Sequence, residues 1–392
     1  MSVTAPVAAG PALRCDQLHA TADAIAEVQL PGGMIPWFPG GHADPWNHVE
    51  AAMALSAGGR LEEARAAYQW LADRQQRDGS WCTYYLAAGV EQPRRDTNVC
   101  AYVAVGVWHH FLRTGDTGFL STMWPVVERA VSFSLRYQTS RGEVRWAVDP
   151  DGTPGRFALL AGSCSIYLSL RCAVAAAWRQ GVQRPDWELA AGRLAHAIAY
   201  RPEAFEPKGR WAMDWYYPVL SGALTGARAR ARLDERWTEF VMEGHGVRCL
   251  SDGQWVTAAE TAECVMALRA AGYEGRARQL FSWAQALRHG DGSYWTGWVR
   301  PQGVHFPGDE RSTYSAAAMV LAADSLDGAG PGAGLFRGEG LPNRLDLEEA
   351  SPRNAEAGLP QIPSATLVKT RRLPQDDSSA NAPDSRARHH SS

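Results

Sequence analysis

Two kinds of helix take turns along this chain, six times each, and that alternation limits its possible folds more than any other feature. Apolar residues three and four positions apart recur throughout, while period-two alternation is nearly absent, so the domain reads as all-α. The first kind is charged on one face and apolar on the other, at about 17–29, 61–75, 120–138, 186–199, 229–242 and 274–287. Such a helix covers a core with one face and meets water with the other. The second kind is apolar nearly all round and rich in Ala and Gly, at about 46–58, 98–114, 164–179, 215–226, 257–272 and 311–325. A helix with no wet face must be surrounded by other helices. Six outer helices alternating with six inner ones predict an (α/α)6 toroid of six helical hairpins over residues 15–343. An open solenoid carries the same local signature. The count stops at six and the pattern then ends, which favours the closed ring.

Past Asp327 the composition turns to Gly, Pro, Ser, Asn and charge, and residues 344–392 read as a disordered tail. Leu335, Phe336, Leu341 and Pro342 are the last residues able to dock on the barrel. The formal charge of -3, with scattered Lys and Arg, argues against a nucleic-acid partner. Seven cysteines without a Cys-x-x-Cys pair suggest reduced thiols. No leader pattern is read at the N-terminus, and no stretch reads as a membrane span, so the expected location is the cytoplasm.

Each inner helix follows a loop rich in Gly, Pro, aromatic and acidic residues. In a ring of parallel inner helices these six starts meet at one rim. Asp, Ser and Thr there are ordinary helix N-caps, but capping does not explain the aromatic residues. Trp37, Trp46, Trp215, Tyr216, Tyr217, Trp255 and Tyr314 are therefore expected to line one cavity, together with His42, Asp96 and Arg311. An aromatic, acidic, lysine-poor concavity suits a polyhydroxylated ligand, because rings stack on sugar faces and carboxylates accept hydroxyl hydrogen bonds or move protons. Phosphate chemistry fits less well, since no Gly-x-x-x-x-Gly-Lys-[Ser/Thr] loop is present. No cofactor is expected. His42, Asp44, His48 and Glu50 lie close in sequence but lack a zinc-ligand spacing, so no metal is expected there. His109 and His110 read as core or interface residues.

Several motifs carry resemblances. Arg65-Ala66 through Trp70-Leu71, Gln75 and Gly79-Ser80-Trp81 resemble the QW repeat of squalene and terpene cyclases, which staples an outer helix to its loop. Weaker echoes run Ile25, Gln29, Gly33; Phe133, Gln138, Gly142; and Trp283, Arg288, Gly292. The stretch 17–342 resembles a group of actinobacterial proteins labelled prenyltransferase. The loop-plus-helix pattern is also similar to six-hairpin glycosidases such as the glucoamylase family, most closely at Gly162-Ser163-Cys164-Ser165-Ile166 and at Glu310. Both resemblances imply an α/α toroid.

Catalytic signatures separate the two. The chain lacks the Asp-x-Asp-Asp acid of class II cyclases and the Asp-Asp-x-x-Asp magnesium site of class I enzymes. Asp96 and Cys100 are four apart, unlike the Asp-x-Cys zinc pair of protein prenyltransferases. Where the glucoamylase resemblance would place a general acid, Phe157–Ala161 holds no carboxylate. The acid is then sought at Glu260, Asp214 or Asp44, with Glu310 as the base. The leading expectation is a carbohydrate-active enzyme of the six-hairpin glycosidase type acting on a glycoside or glycoconjugate by carboxylate acid–base catalysis. The alternatives are a prenyltransferase or terpene-cyclase-like enzyme with an isoprenoid substrate, and a glycan-binding toroid without turnover.

Overall fold

The structure is a computed structural model that describes residues 10–328 and 330–344. Its helices pair, outer then inner, in chain order. The first pair is α1 (Cys15–Val28) and α2 (Pro45–Ala57). Next come α3 (Leu61–Arg74) and an inner helix broken at Tyr102 into α4 (Thr97–Ala101) and α5 (Val103–Thr114). The third pair is α6 (Thr117–Leu135) and α7 (Leu160–Arg179), and the fourth α8 (Pro185–Tyr200) and α9 (Ala212–Leu220). In the fifth, α10 (Gly226–Glu235) and α11 (Trp237–Phe240) precede α12 (Ala258–Ala270), and α13 (Glu274–Ala284) with α14 (Thr313–Asp327) completes the set. Each inner helix packs on the next, and α14 packs back on α2, so the ring is closed.

The two helix types occupy the layers that their patterns dictate. In α3, Ala64, Ala67, Tyr68 and Leu71 are buried while Glu62 and Glu63 stay wet. In α14 the burial runs round the helix, taking in Ala316, Ala317, Ala318, Met319, Val320 and Leu321. Small side chains let such helices approach closely and still fill space at interior density. One inner helix, α7, is long and apolar enough to cross a membrane, against the expectation from sequence, but 83% of that window lies buried inside the barrel.

The QW-like positions act as staples. Gln75 Nε2 donates to the carbonyl of Gly79 at 3.0 Å, closing its own loop, and to that of Val126 on α6 at 2.9 Å. Gln29 repeats this toward Glu63 on α3, and Gln138 toward Ala190 on α8. In the last copy Arg288 reaches back 3.2 Å to the carbonyl of Gln17 on α1. The outer layer is thereby tied round to its beginning.

Local differences have plain causes. Helix α6 starts early because Asp116 caps the amide of Phe119 at 2.8 Å. Helix α9 stops at Leu220, beyond Pro218 and before Gly222 at φ +75°. The main departure is β structure in the rim loops. Strands β1 (Tyr84–Leu86) and β2 (Gly89–Gln92) form a hairpin, and β3 (Arg95–Asp96) pairs with β4 (Ala147–Val148). An antiparallel five-stranded sheet runs in order β5 (Val241–Met242), β6 (Gly246–Arg248), β7 (Trp255–Thr257), β8 (Trp295–Val299), β9 (Val304–Arg311). Pieces of two to five residues are too short to show alternation, and β9 is interrupted by Pro307 and Gly308. All seven cysteines are free. The expected tail at 344–392 lies outside the described residues, except Arg344, which donates to Thr225 Oγ1 at 2.9 Å.

Candidate active site

Four of the six inner-helix starts, those of α2, α9, α12 and α14, meet around a cavity of about 530 Å³, while those of the second and third inner helices do not line it. Trp37, His42, Trp46, Trp255, Tyr314, Glu260 and Glu310 all line it, as the sequence implied. Trp37 is fixed by a 2.7 Å hydrogen bond from its indole to Asp44, and its ring meets Tyr314 edge-on at 5.1 Å. His42 stacks on Tyr84 at 4.4 Å and pairs with Glu91. Trp255, on β7, meets Phe306 of β9 at 4.7 Å.

Two carboxyl groups stand at the mouth, each held by a threonine hydroxyl. Thr257, the N-cap of α12, donates to Glu260, and Thr296 donates to Glu310 Oε1 at 2.9 Å. The two threonines lie on adjacent strands, since Thr257 is the register partner of Gly297. Glu260 and Glu310 line the same cavity from α12 and β9. Both are partly open to water.

Two more carboxyl groups form the floor. Glu50 Oε1 accepts from the Trp46 indole at 3.0 Å and the Tyr102 hydroxyl at 3.1 Å. Glu263 accepts from Tyr217 at 2.6 Å and from Tyr216. Burial pushes the Glu50 carboxyl up to about 7, against those two donors, with Asp44 adding a like-charge effect. Glu263 is raised well above the usual carboxylate range, first by burial and then by the charge of Glu50. A carboxyl whose folded-state pKa lies above its unfolded value binds more protons when native, so its contribution to stability declines as pH rises through that interval. Glu50→Gln cannot ionise and keeps an oxygen acceptor. It should gain roughly 1–3 kcal/mol on wild type between pH 5 and pH 8, read by urea denaturation at both pH values. Asp96, raised to about 7 by burial, gives both proteins a common background slope.

Seven expected site residues lie outside the cavity lining, for identifiable reasons. Asp44 is taken up as N-cap of α2 and as acceptor from Trp37 and Asn47, so it positions the wall. Asp96 caps α4 and accepts from Trp146. Asp214 accepts from the amide of Ala161 at 3.2 Å. Trp215 points to the outer layer, stacking on Phe240 at 5.2 Å and donating to the Arg232 carbonyl. Arg311 pairs with Asp291 beside a neighbouring cavity. Tyr216 and Tyr217 sit beneath the lining as holders of Glu263. Glu263 itself has no place in the sequence reading, although it follows Glu260 by three residues, and Glu50 follows Trp46 by four, both spacings of a shared helix face. Met213, Thr257, Thr296 and Phe306 also line the cavity without a sequence signal. His48 is structural, contacting the Ile35 amide and the Ala67 carbonyl, and burial lowers it to about 4. Among the described residues no group of three or more His, Cys, Asp or Glu is arranged to hold a metal.

No family model matches the chain. Over 333 residues it is 53% identical to the MMP endo-(1,4)-3-O-methyl-alpha-D-mannosidase of Mycolicibacterium hassiacum, covering 85% of this chain and 92% of that protein. A solved wild-type glycosidase superposes with TM-score 0.64 at 16% identity, covering 80% of this chain and 98% of that one. The GH63 mannosylglycerate hydrolase of Thermus thermophilus gives 0.59 at 12% identity, covering 77% and 99%. These structures share the α/α-toroid fold. The prenyltransferase resemblance finds no support among these proteins.

Proposed function

The chain belongs to the glycosidase family of the Mycolicibacterium hassiacum endo-mannosidase, and from that membership we propose that it hydrolyses internal 1,4-linkages of 3-O-methylated α-mannosides. The observation that carries the mechanism is the pair Glu260 and Glu310, held by threonines on neighbouring strands at one open mouth. Two carboxyl groups facing one open cavity are the equipment of glycoside hydrolysis. Glu260 protonates the leaving oxygen, while Glu310 takes a proton from a water that attacks the anomeric carbon from the opposite side. Each group needs its threonine hydroxyl to hold one oxygen and leave the other toward the substrate. The outcome is inversion, with one water added across the broken C–O bond.

The walls suit the methylated sugar. Trp37, Trp255, Phe306 and Met213 offer apolar surface at the mouth, and Glu50 below accepts hydroxyl hydrogen bonds. Burying one methyl group is worth about 0.8 kcal/mol, or roughly fourfold in affinity. Trp255→Ala should accordingly cut the preference for 3-O-methylated over unmethylated oligosaccharides by about three- to fivefold, measured as the ratio of kcat/KM values. The activity itself is tested by following product lengths over time on the methylated polymer. Rapid appearance of mid-length fragments supports internal cleavage. Release of monosaccharide alone, or no shortening, contradicts it.

A further inference from the structure

A second cavity, of about 440 Å³, adjoins the first. Phe38 and Glu310 line both, so one ring edge and the proposed base form the shared wall. Its other side is built from α1, through Ala24, Glu27 and Val28, and from the turn around Asp291 and Ser293. The first and last hairpins thus meet here.

The lining is ordered. Gly41 lets the loop fold tightly, because a Cβ there would come 2.7 Å from the Phe38 ring. Arg311 donates to Ser293 Oγ at 2.9 Å, lies 2.8 Å from His289 Nδ1 and pairs with Asp291. A guanidinium held by three neighbours is already oriented before any ligand arrives, which lowers the entropy cost of binding. Glu27 and the exposed Asp309 add carboxylate acceptors. The first cavity is walled by indoles, whereas this one mixes one aromatic ring with charged donors and acceptors. That is the chemistry of a hexopyranose bound through free hydroxyls, with Phe38 against one sugar face.

We propose that this cavity is a second sugar subsite, taking the unit next to the one cleaved, on the glycone side of the scissile bond. The assignment rests on the glycosidase reading above. Since Glu260 serves the leaving oxygen, the chain passing over Phe38 and Glu310 is the part that keeps the anomeric carbon under attack. An enzyme that cuts within a polymer binds units on both sides of the scissile bond.

The test uses 1,4-linked 3-O-methylmannose oligosaccharides lengthened one unit at a time at the non-reducing end. Wild type should show a rise of about tenfold in kcat/KM at the length that first fills the second cavity. Ala24→Trp fills that cavity from a half-exposed helix position, and Arg311→Ala removes its oriented donors. Both should flatten the step while leaving the shortest cleaved oligosaccharide within about twofold of wild type. No step in wild type, or variants that keep the step or slow every length alike, would overturn the subsite. Absence of hydrolysis at all lengths by wild type would instead overturn the glycosidase reading, and this inference with it.

Discussion

Replacing Glu310 by Gln should lower kcat on the methylated oligosaccharide by roughly 10²–10⁴-fold, with KM changed little. The amide keeps the size of the carboxylate and can still accept the Thr296 hydrogen bond, so the wall and its sugar contacts stay in place. What disappears is the ability to take a proton from water. Glu260→Gln should give a loss of the same order for the complementary reason, since an amide has no proton to hand to the leaving oxygen. The two variants separate on substrates with an activated leaving group. A good leaving group needs little protonation, so Glu260→Gln should recover much of its rate there and Glu310→Gln should not. Steady-state kinetics on both substrate types reads this directly. If Glu260→Gln shows no recovery while Glu310→Gln does, the two roles are exchanged.

The second large effect concerns the fold. Gly79→Ala should destabilise the protein by about 3–5 kcal/mol, measured by denaturant unfolding. Gly79 has φ +93°, and a Cβ there would sit 2.2 Å from the carbonyl oxygen of Arg129 on α6. Backbone strain and a backbone clash therefore add. Gly152→Ala is the control, because Gly152 has nearly the same φ, +91°, with nothing within 4 Å of the added carbon. It should cost only about 1–2 kcal/mol. Gly292 makes the same close approach to Ala20 on α1. The staple is thus a means of drawing consecutive outer helices together, and its last copy joins the sixth hairpin to the first.

Much of the ring is legible without coordinates, because a helix such as α14, apolar on every side, has few ways to avoid water other than an inner layer. The Gln-to-Gly spacing at 75–79 is equally legible, since it recurs at 29–33 and 138–142 with the same local geometry. The rim sheet is not, as strands of two to five residues leave no periodic trace and the longer β9 is broken by Pro307 and Gly308. At the mouth, residue type alone cannot tell a carboxylate that faces the cavity from one consumed by capping. Asp44 and Glu260 both stand at helix starts, yet Asp44 is buried under four hydrogen bonds while Glu260 remains open. Glu263 is found only through partners on α9, 46 and 47 residues away, which the packing of α9 on α12 brings to it.

The most direct measurement is the configuration of the new reducing end, followed by proton NMR in the first minutes of hydrolysis, before mutarotation. A water activated by Glu310 on the face opposite the leaving oxygen must release the β anomer from an α-linked substrate, and that signal should fall away in Glu310→Gln. An initial α anomer, or a β signal that Glu310→Gln leaves undiminished, would contradict the assignment of this carboxylate pair.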